Sequence, residues 1–233
     1  MSAARGKRRF FILLCLFGFI LFSSLGVWQI ERRAWKLDLI ARVDARVHAA
    51  PVPVPPSAWG QVNPRSDEYR RVQTSGTFLN DRETLVDALT ERGAGFWVLT
   101  PLRTTSGIIL VNRGFVPPER KAPSSHAAAQ GTAKVTGLLR MTEPKGRFLR
   151  PNRPSEDRWY SRDVAAIAQA RGLKGVAPFF IDADATPNLS GYPLGGITVV
   201  SFRNMHLVYA LTWFGLALLC LIGLSLLRKP LND

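Results

Sequence analysis

Cysteine and histidine are scarce in this 233-residue chain. The two cysteines, Cys15 and Cys220, exclude a disulfide-built scaffold, a cysteine zinc site and a C-x-x-C redox pair. Three histidines, His48, His126 and His206, leave little for a multi-histidine metal centre. Phosphate-loop, H-E-x-x-H and G-x-S-x-G motifs are missing, and Gly93 and Gly95 start a G-x-G pattern in which Val98 stands where the third glycine belongs. None of the three histidines has an obvious acidic partner nearby in sequence and no polar catalytic cluster is evident, so the chain reads as a non-enzyme. There is no internal repeat and no long coiled-coil heptad run. Acidic residues are outnumbered, 17 against 31 Lys and Arg, for a net charge of +14. A hydrophobic content of 46% excludes intrinsic disorder.

What the chain does have is two uncharged apolar runs, residues 10–28 and 207–227. Each is long enough to cross a hydrocarbon core of about 30 Å as a helix. Both cysteines lie within these runs, as small buried hydrophobes. The first run is longer than a usual signal-peptide core and lacks an A-x-A site, which favours an uncleaved anchor over a cleaved signal. Arg5, Lys7, Arg8 and Arg9 precede the first run, and Arg228 and Lys229 follow the second, so both termini are expected in the cytoplasm. The expected organisation is a cytoplasmic N-terminus (1–9), a first span (10–28), a periplasmic domain (29–206), a second span (207–227) and a cytoplasmic C-terminus (228–233). Residues 29–206 hold 25 basic and 16 acidic residues. That excess suits a surface beside anionic lipid, or an anionic ligand or partner. Nucleic acid is not expected for a tethered domain on that side.

The expected fold class is a membrane protein with two transmembrane helices flanking an extracytoplasmic α+β domain rich in antiparallel strands. Trp28, Trp35, Leu39 and Val43 recur near helical spacing and extend the first helix over 29–47. The 51–56 run (PVPVPP) predicts an extended polyproline-like linker, and 57–68 a loop. Strands are expected at 70–79, 95–103, 107–116, 133–142, 178–184 and 196–202, with a hairpin turn at 105–107 and a loop over 117–131. Ser161 is the expected N-cap of a short helix over 161–171. In the spans, Gly18 with Gly26 and Gly215 with Gly223 are each eight residues apart, the spacing of one helix face, which would let the two helices approach closely.

Chemistry concentrates at the start of the second span, in Arg203, Asn204, Met205, His206, Tyr209 and Trp213. His206 and Trp213 are seven residues apart and share a helix face, about 10 Å apart along the axis. These residue types also suit a plain aromatic belt with a histidine at head-group level. The sharper reading is haem: neutral imidazole is an axial ligand for haem iron, Trp213 is a flat surface for a macrocycle, and Arg203, Arg32 or Arg33 can pair with propionates. Met205 lies off the His206 face and is a weaker second ligand.

The chain resembles the Surf1/Shy1 family of cytochrome c oxidase assembly factors over nearly its whole length. The resemblance rests on LGVWQIERRAWKLDLI at 25–40, YRRVQTSGTFL at 69–79, WVLTPLRTTSGIILVNRGFVP at 97–117 and GYPLGGITVVSFRNMHLVYALTWFGLA at 191–217. Phe115 stands where the family more often has Trp. The resemblance implies a factor that binds haem a and assists its insertion into oxidase subunit I, with haem a synthase and membrane lipid as further partners. The family's haem-linked histidine and downstream tryptophan match His206 and Trp213. Arg203, Tyr209 and Arg32 are the companion cofactor-binding residues, and His206 the expected ligand to haem iron. Trp28, Gln29, Arg32, Trp35 and Lys36 match the family block at the first span. Gly114 matches a family position associated with loss of function, and reads here as a strand glycine at a close backbone approach or bulge. With no long presequence ahead of the first run, a bacterial inner membrane is expected. Two other readings stay open: a scaffold that stabilises an oxidase intermediate without touching haem, and a polysaccharide co-polymerase, which would require coiled-coil heptads.

Overall fold

The structure is a computed structural model that describes residues 2–54, 56–125, 131–147, 149–185, 191–198, 202 and 204–228. The chain forms two compact units, one built from residues up to 42 and from 201 onward, the other from Val43–Val200.

The first unit is an antiparallel helix pair. Helix α1 (Ser2–His48) runs without a break through the first apolar run and the amphipathic stretch beyond it. Helix α4 (His206–Arg228) carries the second run. Both are long and apolar enough to cross a bilayer. The less exposed positions of α1 include Arg8, Ile12, Cys15, Phe19, Phe22, Gly26 and Gln29, and those of α4 His206, Ala210, Trp213, Ala217, Cys220, Leu224 and Leu227. Each series steps by alternate fours and threes, the seam spacing of coiled-coil helices. No heptad is legible in the sequence here because every face of these segments is apolar, so the period is carried by packing and not by polarity. Gly26 is central to the seam: a Cβ there would lie 2.5 Å from the Phe214 ring. Gly18 faces the Cys220 sulfur and Gly223 the Cys15 sulfur, whereas Gly215 has open space around it, so only three of the four expected glycines serve close approach. Arg8 Nε donates to the Leu227 carbonyl at 2.8 Å, satisfying one of the last carbonyls of α4 with a cation at the helix's negative end.

The second unit is a small barrel. Strands β2 (Arg71–Phe78), β4 (Gly93–Thr104), β5 (Gly107–Val116), β6 (Thr132–Met141) and β7 (Val176–Ala183) follow the order β2-β6-β7-β5-β4. The end of β4 returns to β2, pairing Thr77 with Arg103 and Phe78 with Leu102, which closes the ring. Strands β1 (Val52–Pro53) and β3 (Thr84–Thr90) flank it. Most pairings are antiparallel, as expected, but β5–β7 and β1–β2 are parallel. Inside the ring lies a core that includes Val72, Leu102, Ile109, Val111, Phe179 and Ile181. Outside it, Leu110 and Phe180 pack with Val86, Leu99 and Trp159 under helix α3 (Val164–Ala170) through Val164 and Ile167. Strands β5 and β7 are therefore apolar on both faces, which is why they read as continuous runs.

Several expectations change. Strand β3 is unexpected: its buried Thr84, Val86 and Ala88 alternate with Leu85, Asp87 and Leu89, and the outward leucines hide the period. The 51–56 segment is extended, but Val52 and Pro53 pair with Val72 and Gln73 as β1. The 57–68 stretch forms a helical turn over Pro56–Gln61 and a short helix α2 (Pro64–Asp67) capped by Asn63, whose side chain accepts from the Arg65 and Ser66 amides. The α3 cap is Asp163, which accepts from Ala166 N at 3.1 Å, and not Ser161. Ser161 Oγ is engaged elsewhere, donating to the Glu143 carbonyl and accepting from Gly146 N. The last expected strand, 196–202, is not one at 196–198 or at Phe202, and 199–201 lie outside the described residues.

Candidate functional site

His206 is the first residue of α4, and the seam sets it against Gln29 of α1. His206 Nδ1 lies 2.7 Å from Gln29 Oε1. An amide oxygen only accepts, so Nδ1 is the donor of this bond, and in the neutral imidazole Nε2 is then the nitrogen with the lone pair. Among the described residues, no hydrogen bond engages Nε2. Gln29 itself is 8% exposed. Two turns further along α4, Trp213 stacks on Phe22 of α1, ring centroids 5.8 Å apart at 17°. Trp213 thus has one ring face against Phe22 and forms an aromatic floor in the same seam as His206.

Tyr209, Met205 and Arg32 lie off the seam. Tyr209 is exposed, as is Met205. Arg32 is exposed, and its guanidinium lies 4.2 Å from the centre of the Trp35 ring, a cation–π contact on α1's outward face. Arg32 is three residues past Gln29 and Tyr209 three past His206. In an antiparallel pair this helical phase puts both on one flank of the Gln29–His206 contact. Lys36 Nζ sits 5.3 Å from the Phe202 ring centre, while Arg203 lies outside the described residues. The arrangement offers an imidazole with Nε2 outside any hydrogen bond among the described residues, an aromatic floor and a cation at the outer rim. That set can hold a flat apolar group bearing a metal and a carboxylate.

The barrel contains a second polar assembly that the sequence analysis missed. The Asp182 side chain, 1% exposed, accepts from Arg140 Nη1 at 2.7 Å, Arg162 Nη1 at 3.0 Å and Asn112 Nδ2 at 2.7 Å. Glu68 binds Arg140 Nε from the outer side, and Glu143 binds Arg162. Both guanidinium groups also lie over the Phe180 ring. Burial would push the Glu143 carboxyl up, but hydrogen bonds and charge from Arg162, with charge from Arg140, hold it below the usual carboxylate range. Burial likewise disfavours the Arg140 charge, yet Asp182 and Glu68 keep its affinity for the proton above the ordinary guanidinium range. This assembly ties β5, β6 and β7 to the loop before α3. Its members engage one another, as in a structural ion-pair network. It also accounts for the N-R-G element of β5: Asn112 bonds Asp182, Arg113 is buried 3.9 Å from Glu83, and Gly114 permits the close approach of Leu194. No sequence spacing links Asn112, Arg140, Arg162 and Asp182; strand pairing brings Asn112, Arg140 and Asp182 together, and the loop before α3 adds Arg162.

The SURF1 family model matches residues 16–218. Among curated proteins, Surfeit locus protein 1 of Homo sapiens is 38% identical over 214 residues, covering 83% of this chain and 69% of its own length. The Mus musculus protein of the same name is 39% identical over 212 residues, covering 83% and 67%. A SURF1-like protein of Monosiga brevicollis is 37% identical over 223 residues, covering 88% and 83%. The match runs from within the first apolar helix, through the whole barrel, to the second helix beyond His206 and Trp213, and on that breadth the chain belongs to the SURF1 family.

Proposed function

We propose that this chain is a haem a carrier: within the role in cytochrome c oxidase assembly that its family supports, it holds haem a and assists its insertion into subunit I. The observation that carries the reading is His206, an imidazole whose Nδ1 is committed to Gln29 and whose Nε2, in the neutral ring, is the nitrogen left for a metal. Haem a is cargo here, and a carrier needs to hold it less firmly than a resident haem protein does. One firm nitrogen ligand with an exchangeable second position meets that need. In this reading Trp213 and Phe22 floor the site, and Arg32, Tyr209 and Arg203 face the polar edge of the cargo. The protein acts as an assembly factor and not as an enzyme. Its barrel, outside the cytoplasm, docks on subunit I, and haem a synthase supplies the cargo. The two spans cross at 10–28 and 207–227 in an inner membrane, with both termini cytoplasmic and 29–206 periplasmic.

The test is a visible spectrum of the detergent-purified protein co-expressed with the enzymes of haem a synthesis. Wild type is expected to show a Soret band and the reduced α-band of haem a. His206→Ala is expected to lose most of the bound haem and to impair oxidase maturation, and Trp213→Ala to weaken both. A folded but colourless wild type, or unchanged haem retention and maturation in both variants, overturns the carrier reading in favour of a haem-free scaffold.

A further inference from the structure

We infer that Gln29 is the positioning residue for His206, holding the imidazole in the orientation and tautomer that present Nε2 to the cargo's iron. This rests on the haem reading above and adds to it a residue from the other helix. Three observations carry it. The contact is short, 2.7 Å from Nδ1 to Oε1, and Gln29 is almost fully buried. Gln29 stands at a seam position between helices whose adjoining contacts are apolar, Gly26 on Phe214 and Phe22 on Trp213, where an amide without a partner is costly. Finally, the bond uses the one acceptor atom that determines which ring nitrogen keeps its lone pair. Ligating histidines commonly donate their second ring N–H to such an acceptor, which fixes the ring and raises its basicity.

A simple adhesive role is the competing explanation, because a side-chain hydrogen bond can join two membrane helices without any ligand. The two make different demands on substitution. If Gln29 only joins the helices, its variants weaken the pairing and leave the bound iron's electronic state alone. If it positions His206, the properties of bound haem a follow the acceptor strength at residue 29.

The experiment compares wild type, Gln29→Leu and Gln29→Glu as full-length protein, purified with haem a bound. It measures haem affinity, the reduced spectrum and the iron reduction potential. Seam integrity is read separately by oxidative cross-linking in a Gly223→Cys, Cys220→Ser background, since a Cβ at residue 223 would lie 3.3 Å from Cys15 Sγ. The expected result is a loss of haem affinity of about 10–100-fold in Gln29→Leu. The potential is expected to move up in Gln29→Leu and down in Gln29→Glu, with cross-linking yield unchanged in both. Equal potentials and spectra in all three proteins overturn the positioning role while leaving the haem reading intact. A parallel loss of cross-linking and affinity, with no change of potential, assigns Gln29 to helix pairing. A wild type that binds no haem a overturns both.

Discussion

Replacing Asp182 by alanine is expected to lower the barrel's stability by about 3–5 kcal/mol, the usual cost of removing one partner from a buried ionic group. The thermal midpoint of the detergent-purified protein should fall by about 10 °C or more for a domain of this size. The physical reason is the position of the carboxylate between Arg140 and Arg162, both with largely buried side chains. Glu68 holds Arg140 from the outside, and Glu143 binds Arg162 closely but reaches Arg140 only at 4.0 Å, so Asp182 is the one carboxylate hydrogen-bonded to both guanidinium groups among the described residues. Without Asp182 the two guanidinium groups lose their shared buried counter-charge and keep only the more exposed Glu68 and Glu143, and the Asn112 amide loses its acceptor. Asp182→Asn keeps the shape and part of the hydrogen bonding but not the charge, so it should fall between wild type and alanine. A midpoint within about 1 °C of wild type in Asp182→Ala would show that Glu68 and Glu143 suffice to balance the arginines.

Gly114→Ala is the second large effect. Gly114 has φ +131°, a conformation L side chains rarely adopt, and an added Cβ would lie 2.1 Å from the Leu194 carbonyl oxygen. Backbone cannot yield as a flexible side chain does, so the 191–198 segment would have to leave β5. Two hydrogen bonds go with it, Phe115 N to Leu194 O and Leu194 N to Phe115 O, both 2.9 Å. Strain of about 1–3 kcal/mol and two bonds of about 1 kcal/mol each give an expected loss of about 3–5 kcal/mol. Hydrogen exchange should show the Phe115 and Leu194 amides losing protection, and limited proteolysis should cut the segment near residues 191–198. Full protection of both amides in the variant would show that the contact does not depend on the glycine. The segment leads in sequence toward His206, so this substitution need not touch the candidate ligand to impair the protein.

Much of this architecture was legible from residue order. The two uncharged runs marked the membrane helices because the bilayer demands length and apolarity, both one-dimensional properties. The strands of the barrel announced themselves where β-branched and aromatic residues clustered between glycine and proline. The 107–116 run was legible because both of its faces are buried. The motif blocks pointed to His206 and Trp213 before any geometry was known. Strand β3 was not legible, since Leu85 and Leu89 carry apolar side chains outward and erase the alternation that marks a half-buried strand. The α3 cap was misassigned for a related reason. Ser161 and Asp163 are both capable caps, and the choice was made by Gly146 and the Glu143 carbonyl, which occupy the serine hydroxyl.

By itself the sequence determined that the chain has two membrane-length helices around a β-rich domain, that it belongs with the SURF1 proteins, and that a histidine with aromatic and basic neighbours stands at the start of the second helix. Tertiary structure alone decided how that histidine is held. Gln29 and His206 are separated by 177 residues, and the seam that joins them is invisible in hydropathy because apolar residues cover every face of the 10–28 and 207–227 runs through which it passes. The same holds for Asp182, whose partners Asn112, Arg140 and Arg162 come from separate parts of the chain. Pairing of distant segments depends on shape and hydrogen-bond geometry in three dimensions, and no local pattern of residues encodes it.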